Sequence, residues 1–166
     1  MYLDLTDVLR DPGNVVERPI DLPPRTLDDV EFVQPVRGFV RAENARHNVV
    51  VSGKVSTAIV LPCARCLKSY TQPLDLDLEA NAPLSFFRAH VTGEVDEDTD
   101  PDDEFAALFD VHTVDVLELI RQAAVLQSPI KPLCAEDCPG LPEAATYTDA
   151  PADERWKALQ DLSQQN

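Results

Sequence analysis

From Asn48 onward, Val49, Val51, Val55, Thr57, Ile59 and Leu61 occupy one parity while Ser52, Lys54 and Ser56 occupy the other. Period-two alternation puts one set of side chains on each face of a strand. The Ser52-Gly53 step predicts a turn that divides the run into a strand pair. Further on, Leu74, Leu76 and Leu78 alternate with Asp75, Asp77 and Glu79, a second strand with its acids facing water. The short apolar run from Leu84 to Phe87 is expected to return as another strand. Before Asn48 the chain reads as extended segments punctuated by Pro19, Pro23, Pro24 and Pro35, which predicts short strands or connecting loops.

Between Val114 and Leu126 the period becomes helical, with Val116, Leu117, Ile120, Ala123 and Ala124 on one stripe. Asp115 followed by Glu118 forms a capping pattern, and Pro129 and Pro132 prevent continuation. A last short helix is expected around Asp153 to Leu162, anchored by Trp156, Leu159 and Leu162. The pattern predicts an α+β fold: an antiparallel sheet or partly closed barrel built from residues before about Phe87, one amphipathic helix, and a short C-terminal helix. Residues 1–140 are expected to form one domain, with 141–166 a linker and that final helix.

Composition sets outer limits on this picture. With 166 residues, 44% hydrophobic and 27% charged, one sizeable core is affordable. Residues 94–104 hold eight acids in eleven positions, so that stretch reads as a solvated acidic loop. Its layout lacks the mid-loop glycine and closing glutamate of a calcium-binding EF-hand. Met1 to Arg10 mix acids with apolar positions, so no signal peptide is expected there, and no apolar run approaches the ~20 residues that span a bilayer. The expected location is the cytoplasm, with no membrane partner.

Fourteen Lys and Arg against thirty Asp and Glu give a net charge of −16, which repels nucleic acid at long range and favours basic partners. The charge is uneven. Between Val36 and Lys68, Arg37, Arg41, Arg46, Lys54, Arg65 and Lys68 face the single acid Glu43, a local balance of +5 in a chain whose remainder sums to −21. Those six cations are candidates for an RNA-contacting sheet face; the plainer reading is a set of solvated charges protecting strand edges. Few aromatics accompany them, chiefly Phe39 and Tyr70.

Four cysteines stand in two tight pairs, Cys63-Ala-Arg-Cys66 and Cys134-Ala-Glu-Asp-Cys138. Both spacings suit a structural zinc site, since zinc takes four thiolates at about 2.3 Å and each short pair closes its own chelate cheaply. Cytoplasmic thiols stay reduced, which favours metal over disulfides. Cysteines that merely pack, or a redox pair at Cys63 and Cys66, are the alternatives. A redox pair wants a helix N-terminus to lower its thiol pKa, whereas this one follows a strand pattern ending at Pro62. With 67 residues between the pairs, a shared ion would join segments far apart in sequence. No catalytic constellation accompanies them: His47, His90 and His112 are scattered, there is no nucleophile elbow, and five glycines form no phosphate loop. A four-cysteine site is also closed to water, so no enzymatic activity is expected.

The order of motifs resembles the YceD family from about Phe32 onward. The residues that carry this are Pro35-Val-Arg-Gly38, the valine-rich run ending Leu61-Pro-Cys63-Ala-Arg-Cys66-Leu67, and Val114-Asp-Val-Leu-Glu-Leu-Ile120. Pro129-Ile-Lys-Pro-Leu-Cys134, Cys138-Pro-Gly-Leu141 and Asp153-Glu-Arg-Trp-Lys-Ala-Leu159 complete the set. Family members commonly add another pair, of cysteine or histidine, just after the Gly-Leu; this chain continues Leu141-Pro-Glu-Ala-Ala-Thr, so a four-cysteine site must combine both pairs. The resemblance implies a non-enzymatic factor supporting accumulation of large-subunit ribosomal RNA, or ribosome assembly. Its partners would be that RNA or the pre-ribosomal particle, and a basic ribosomal protein. Alternatives are an acidic chaperone of a basic protein with no RNA contact, or a thiol redox protein using Cys63 and Cys66.

Overall fold

The computed structural model describes residues 1–87 and 108–141. The expected acidic loop at 94–104 and the expected helix near Asp153 to Leu162 lie outside the described residues. The chain divides into two compact units, one of Met1–Leu61 with Tyr70–Ile130, the other of Pro62–Ser69 with Lys131–Asn166.

The first unit is built on a curled antiparallel half-barrel. Its strands are β2 (Val15–Leu22), β3 (Arg25–Leu27), β4 (Val30–Phe32), β5 (Val36–Asn44), β6 (Asn48–Pro62) and β7 (Ser69–Pro83). The order is β2-β5-β6-β4-β3, with β7 also pairing β6. A separate two-stranded sheet joins β1 (Tyr2–Asp4) to β8 (Thr113–Asp115). A short helix, Thr6–Arg10, follows β1, and a longer one, Val116–Gln127, follows β8.

β6 departs from expectation in being one uninterrupted strand through Ser52-Gly53. Two facts explain it. The parity of Val49 and Val51 continues unbroken into Val55, Thr57 and Ile59, all buried, so no chain reversal is needed to place them in the core. Gly53 serves close approach rather than a turn: a Cβ there would collide with the Phe39 carbonyl of β5, and one at Gly38 would collide with the Lys54 carbonyl of β6. The turn lies instead between β5 and β6, where Arg46 takes φ +72° and its amide donates to Asn44 Oδ1. Pro19 sits within β2, tolerated because β2 ends the strand order and every second residue of an edge strand turns its backbone away from the ladder.

Residues 84–87 are helical, not the strand expected from their composition. Leu84, Phe86 and Phe87 are buried, and Phe87 packs edge-on to both Phe86 and Phe109. Four apolar residues do not by themselves distinguish strand from helix, and tertiary packing decides. The Val116–Gln127 helix forms where its stripe and cap foretold. Asp115 Oδ1 accepts from the amides of Leu117 and Glu118 at 2.9 and 3.4 Å, satisfying two of the orphan donors at the helix start. The buried face is Val116, Leu119, Ile120, Ala123 and Ala124, with Leu119 taking the place expected of Leu117. It belongs to one continuous core with Val40, Val49, Val51, Leu76 and Leu78 of the sheet.

Candidate metal centre and charged sheet face

Both cysteine pairs belong to the second unit. Residues 63–68 form a tight corner between β6 and β7: the Cys63 amide donates to the Lys68 carbonyl, and the Leu67 amide donates back to the Cys63 carbonyl, each at 2.9 Å. The reversal sends Leu67 to φ +61°, a left-handed conformation that a branched side chain adopts only under constraint. From the other segment, the Pro132 carbonyl accepts from the Ala64 amide at 2.8 Å, and Cys138 closes its own turn on the Ala135 carbonyl. Arg65 ties the segments together. Its Nη1 donates to the carbonyls of Glu136 at 3.1 Å and Cys138 at 3.0 Å.

These bonds bring four sulfurs within 4.8 Å of one another. Cys63 and Cys138 are buried, Cys66 is half-buried and Cys134 is exposed; all four are free thiols. Sγ atoms lie 3.8 Å apart for Cys63 with Cys138 and for Cys66 with Cys134. A tetrahedron with zinc–sulfur arms of about 2.3 Å has edges of about 3.8 Å, whereas a disulfide needs about 2.0 Å. The donor set thus fits a tetrahedral ion. Each 3.8 Å pair takes one cysteine from either segment, so the spacing comes from the fold and not from the local chelate loops.

The electrostatics of the cluster are asymmetric. Backbone N–H groups of Cys66, Cys134 and Arg65 turned toward Cys63 favour its thiolate and pull its pKa down to about 6. Cys134, hydrogen-bonded to the sulfurs of Cys138, Cys63 and Cys66, is pushed up to about 12, because a further negative charge among sulfurs is unfavourable. A group of thiols that resists complete ionisation by itself is one a divalent cation would stabilise.

Of the six candidate cations, Arg37, Arg41, Arg46 and Lys54 belong to the first unit. Arg37 and Arg41 project from the exposed face of β5, with Phe39 between them, and Lys54 lies directly across from Phe39 on β6. Each of the three is paired: Arg37 with Asp21 at 3.3 Å, Arg41 with Glu43 at 2.8 Å and Lys54 with Asp77 at 2.7 Å. A cavity of about 400 Å³ on this face accordingly has mixed walls, Arg37, Phe39 and Lys54 against Asp75 and Asp77. Arg46 stands in the β5–β6 turn. Arg65 and Lys68 belong to the other unit, and the Arg65 guanidinium is engaged with backbone carbonyls. The counter-charges come from β2 and β7, strands outside the window over which the +5 balance was counted, except for Glu43.

The family model described as large ribosomal RNA subunit accumulation protein YceD matches residues 51–163. An uncharacterized protein of Mycobacterium leprae is 27% identical over 146 residues, covering 85% of this chain and 64% of that protein. Uncharacterized proteins of Mycobacterium bovis and Mycobacterium tuberculosis are 32% identical over 102 residues, 61% of this chain and 45% of theirs. The chain thus spans less than two thirds of the length of these relatives. No solved structure matches it. Among the described residues, no helix is long and apolar enough to cross a membrane.

Proposed function

The chain belongs to the YceD family, named for accumulation of the large ribosomal RNA subunit, and from that premise we propose that it supports this accumulation by binding a basic ribosomal protein in the cytoplasm, without catalysing a reaction. The observation that carries the choice of partner is the pairing of Arg37, Arg41 and Lys54 with Asp21, Glu43 and Asp77. A cation already held by a carboxylate has little field left for a phosphate, while the net charge of −16 attracts a basic surface. Newly made ribosomal proteins are strongly basic, and shielding one until its RNA is ready would protect both. In the same reading Cys63, Cys66, Cys134 and Cys138 hold one structural zinc ion. Four sulfur donors leave no position for water, so the ion orders Arg65 and its surroundings and performs no chemistry.

The test separates large subunits into naked ribosomal RNA and the basic protein fraction, and measures binding of the full chain to each across a salt series. Binding to a component of the protein fraction, weakening steeply with salt and unharmed by Arg37→Glu with Arg41→Glu, is the expected result. Binding to naked RNA that this double variant abolishes would move the contact to the sheet face and overturn the protein-only reading.

A further inference from the structure

The side chain of Gln127 behaves toward β7 as a strand would. Its Oε1 accepts from the Asp77 amide at 3.0 Å and its Nε2 donates to the Asp77 carbonyl at 2.7 Å. One carboxamide thereby satisfies both backbone groups of one residue, which is the exchange made by a hydrogen-bonded pair in an antiparallel ladder. Asp77 therefore turns its backbone away from β6, its one strand partner among the described residues, and by the alternation of a strand Asp75 and Glu79 present theirs to the same side.

Among the described residues three strands end this sheet, and they differ in what they offer. β3 has only three residues, and β2 is interrupted by Pro19, which has no N–H to donate. β7 after Pro73 runs without proline to Ala82, long enough to template a neighbour. Its outward side chains there include Asp75, Asp77 and Glu79, all exposed. On the same helix Val125 and Leu126 are exposed and line, with Arg121 and Gln122, a separate cavity of about 410 Å³. An edge with acids along its solvent face suits an extended segment with basic residues at alternate positions.

We propose that the β7 edge around Asp75 to Glu79 receives an extended basic segment of the partner protein, which adds to the sheet as a strand in place of the Gln127 carboxamide. This deepens the proposed function and rests on its reading that the partner is basic. Backbone bonds supply the register, and the carboxylates of Asp75 and Glu79 select cations, Asp77 being held by Lys54. Gln127 meanwhile keeps this edge from pairing with another copy of the chain.

The probe is a short synthetic peptide alternating lysine and valine, compared with the same peptide N-methylated at every second residue, which keeps its charges but cannot complete a ladder. Binding to the full chain is followed by titration and by amide hydrogen exchange. The expected result is binding that slows exchange at Asp75 and Glu79, weakens at least about tenfold on N-methylation, and tightens about fivefold in Gln127→Ala, where two competing hydrogen bonds are gone. Equal binding of both peptides would mean charge alone is read, overturning the edge while leaving a basic partner. Absence of binding by either peptide would overturn the basic-partner reading too. Concentration-dependent protection of the same amides without peptide would assign the edge to a second copy and overturn the proposal.

Discussion

Cys63 Sγ lies 3.8 Å from Cys138 Sγ although 75 positions of sequence separate them. Closing so long a loop costs conformational entropy, and thiols that share no ion return little of it. A tetrahedral metal returns far more, since structural zinc contributes on the order of 10 kcal/mol to folding. The chain purified under reducing conditions without chelator should carry one zinc, with its four thiols protected from titration. Chelation should expose all four, and Cys66→Ala should abolish metal binding and loosen residues 62–69 in hydrogen exchange. Four reactive thiols and no metal in the native protein would leave the cluster as packing.

Arg65 bonds two carbonyls of the segment carrying Cys134 and Cys138. Arg65→Ala should weaken metal affinity by about tenfold, consistent with the ~1.5–3 kcal/mol of a charged hydrogen bond, as read by competition with a chromophoric chelator. Lysine cannot reproduce the fork of the guanidinium, so Arg65→Lys should recover only part of this loss. Unchanged affinity in both variants would free Arg65 from a positioning role.

Gly38 admits no side chain, because a Cβ there would overlap the backbone of Lys54 and Val55. Gly38→Ala should force β5 and β6 apart and destabilise the chain by about 2–3 kcal/mol, in the range of overpacking mutations. Urea unfolding measures it. Gly13, at φ +88° with open space around its Cα, is the contrast: alanine there meets conformational strain but no collision.

Glu118 is held below the usual carboxylate range, first by its hydrogen bond from Arg121, which also pairs with Asp29. A carboxylate whose folded pKa is depressed contributes stability that is fully present above its unfolded pKa, about 4.3, and is lost as pH falls through the folded value. Stability of the wild-type chain should therefore decline with acid below about pH 4.3. Glu118→Gln should be less stable at pH 7 and should show a shallower acid limb, both followed by thermal unfolding. Parallel limbs in the two proteins would remove the pair from the pH dependence.

Periodicity alone was enough to place β7 and the Val116–Gln127 helix, because Leu74, Leu76 and Leu78, and Val116, Ile120, Ala123 and Ala124, are repeats whose information lies within one element. The Asp115 cap was equally legible, since a helix start is settled within one turn. The spacing of the two cysteine pairs singled out the four sulfurs that the fold brings within 4.8 Å of one another, and the motif order pointed to the family. Only tertiary structure could decide the rest. Gly53 carries a turn-like signature in isolation, yet the approach of the Phe39 carbonyl from β5 gives it a different task. Residues 84–87 coil because Phe86 and Phe87 have aromatic partners to meet, one of them at Phe109. Arg37 and Lys54 of the +5 window meet carboxylates that the window does not contain, because Asp21 and Asp77 enter from strands before and after it. Gln127 reached the edge of β7 across 50 positions of sequence, which no local pattern records. Alternation and capping are written in contiguous residues, whereas charge neutralisation, sulfur geometry and free strand edges depend on which distant segments the core brings together.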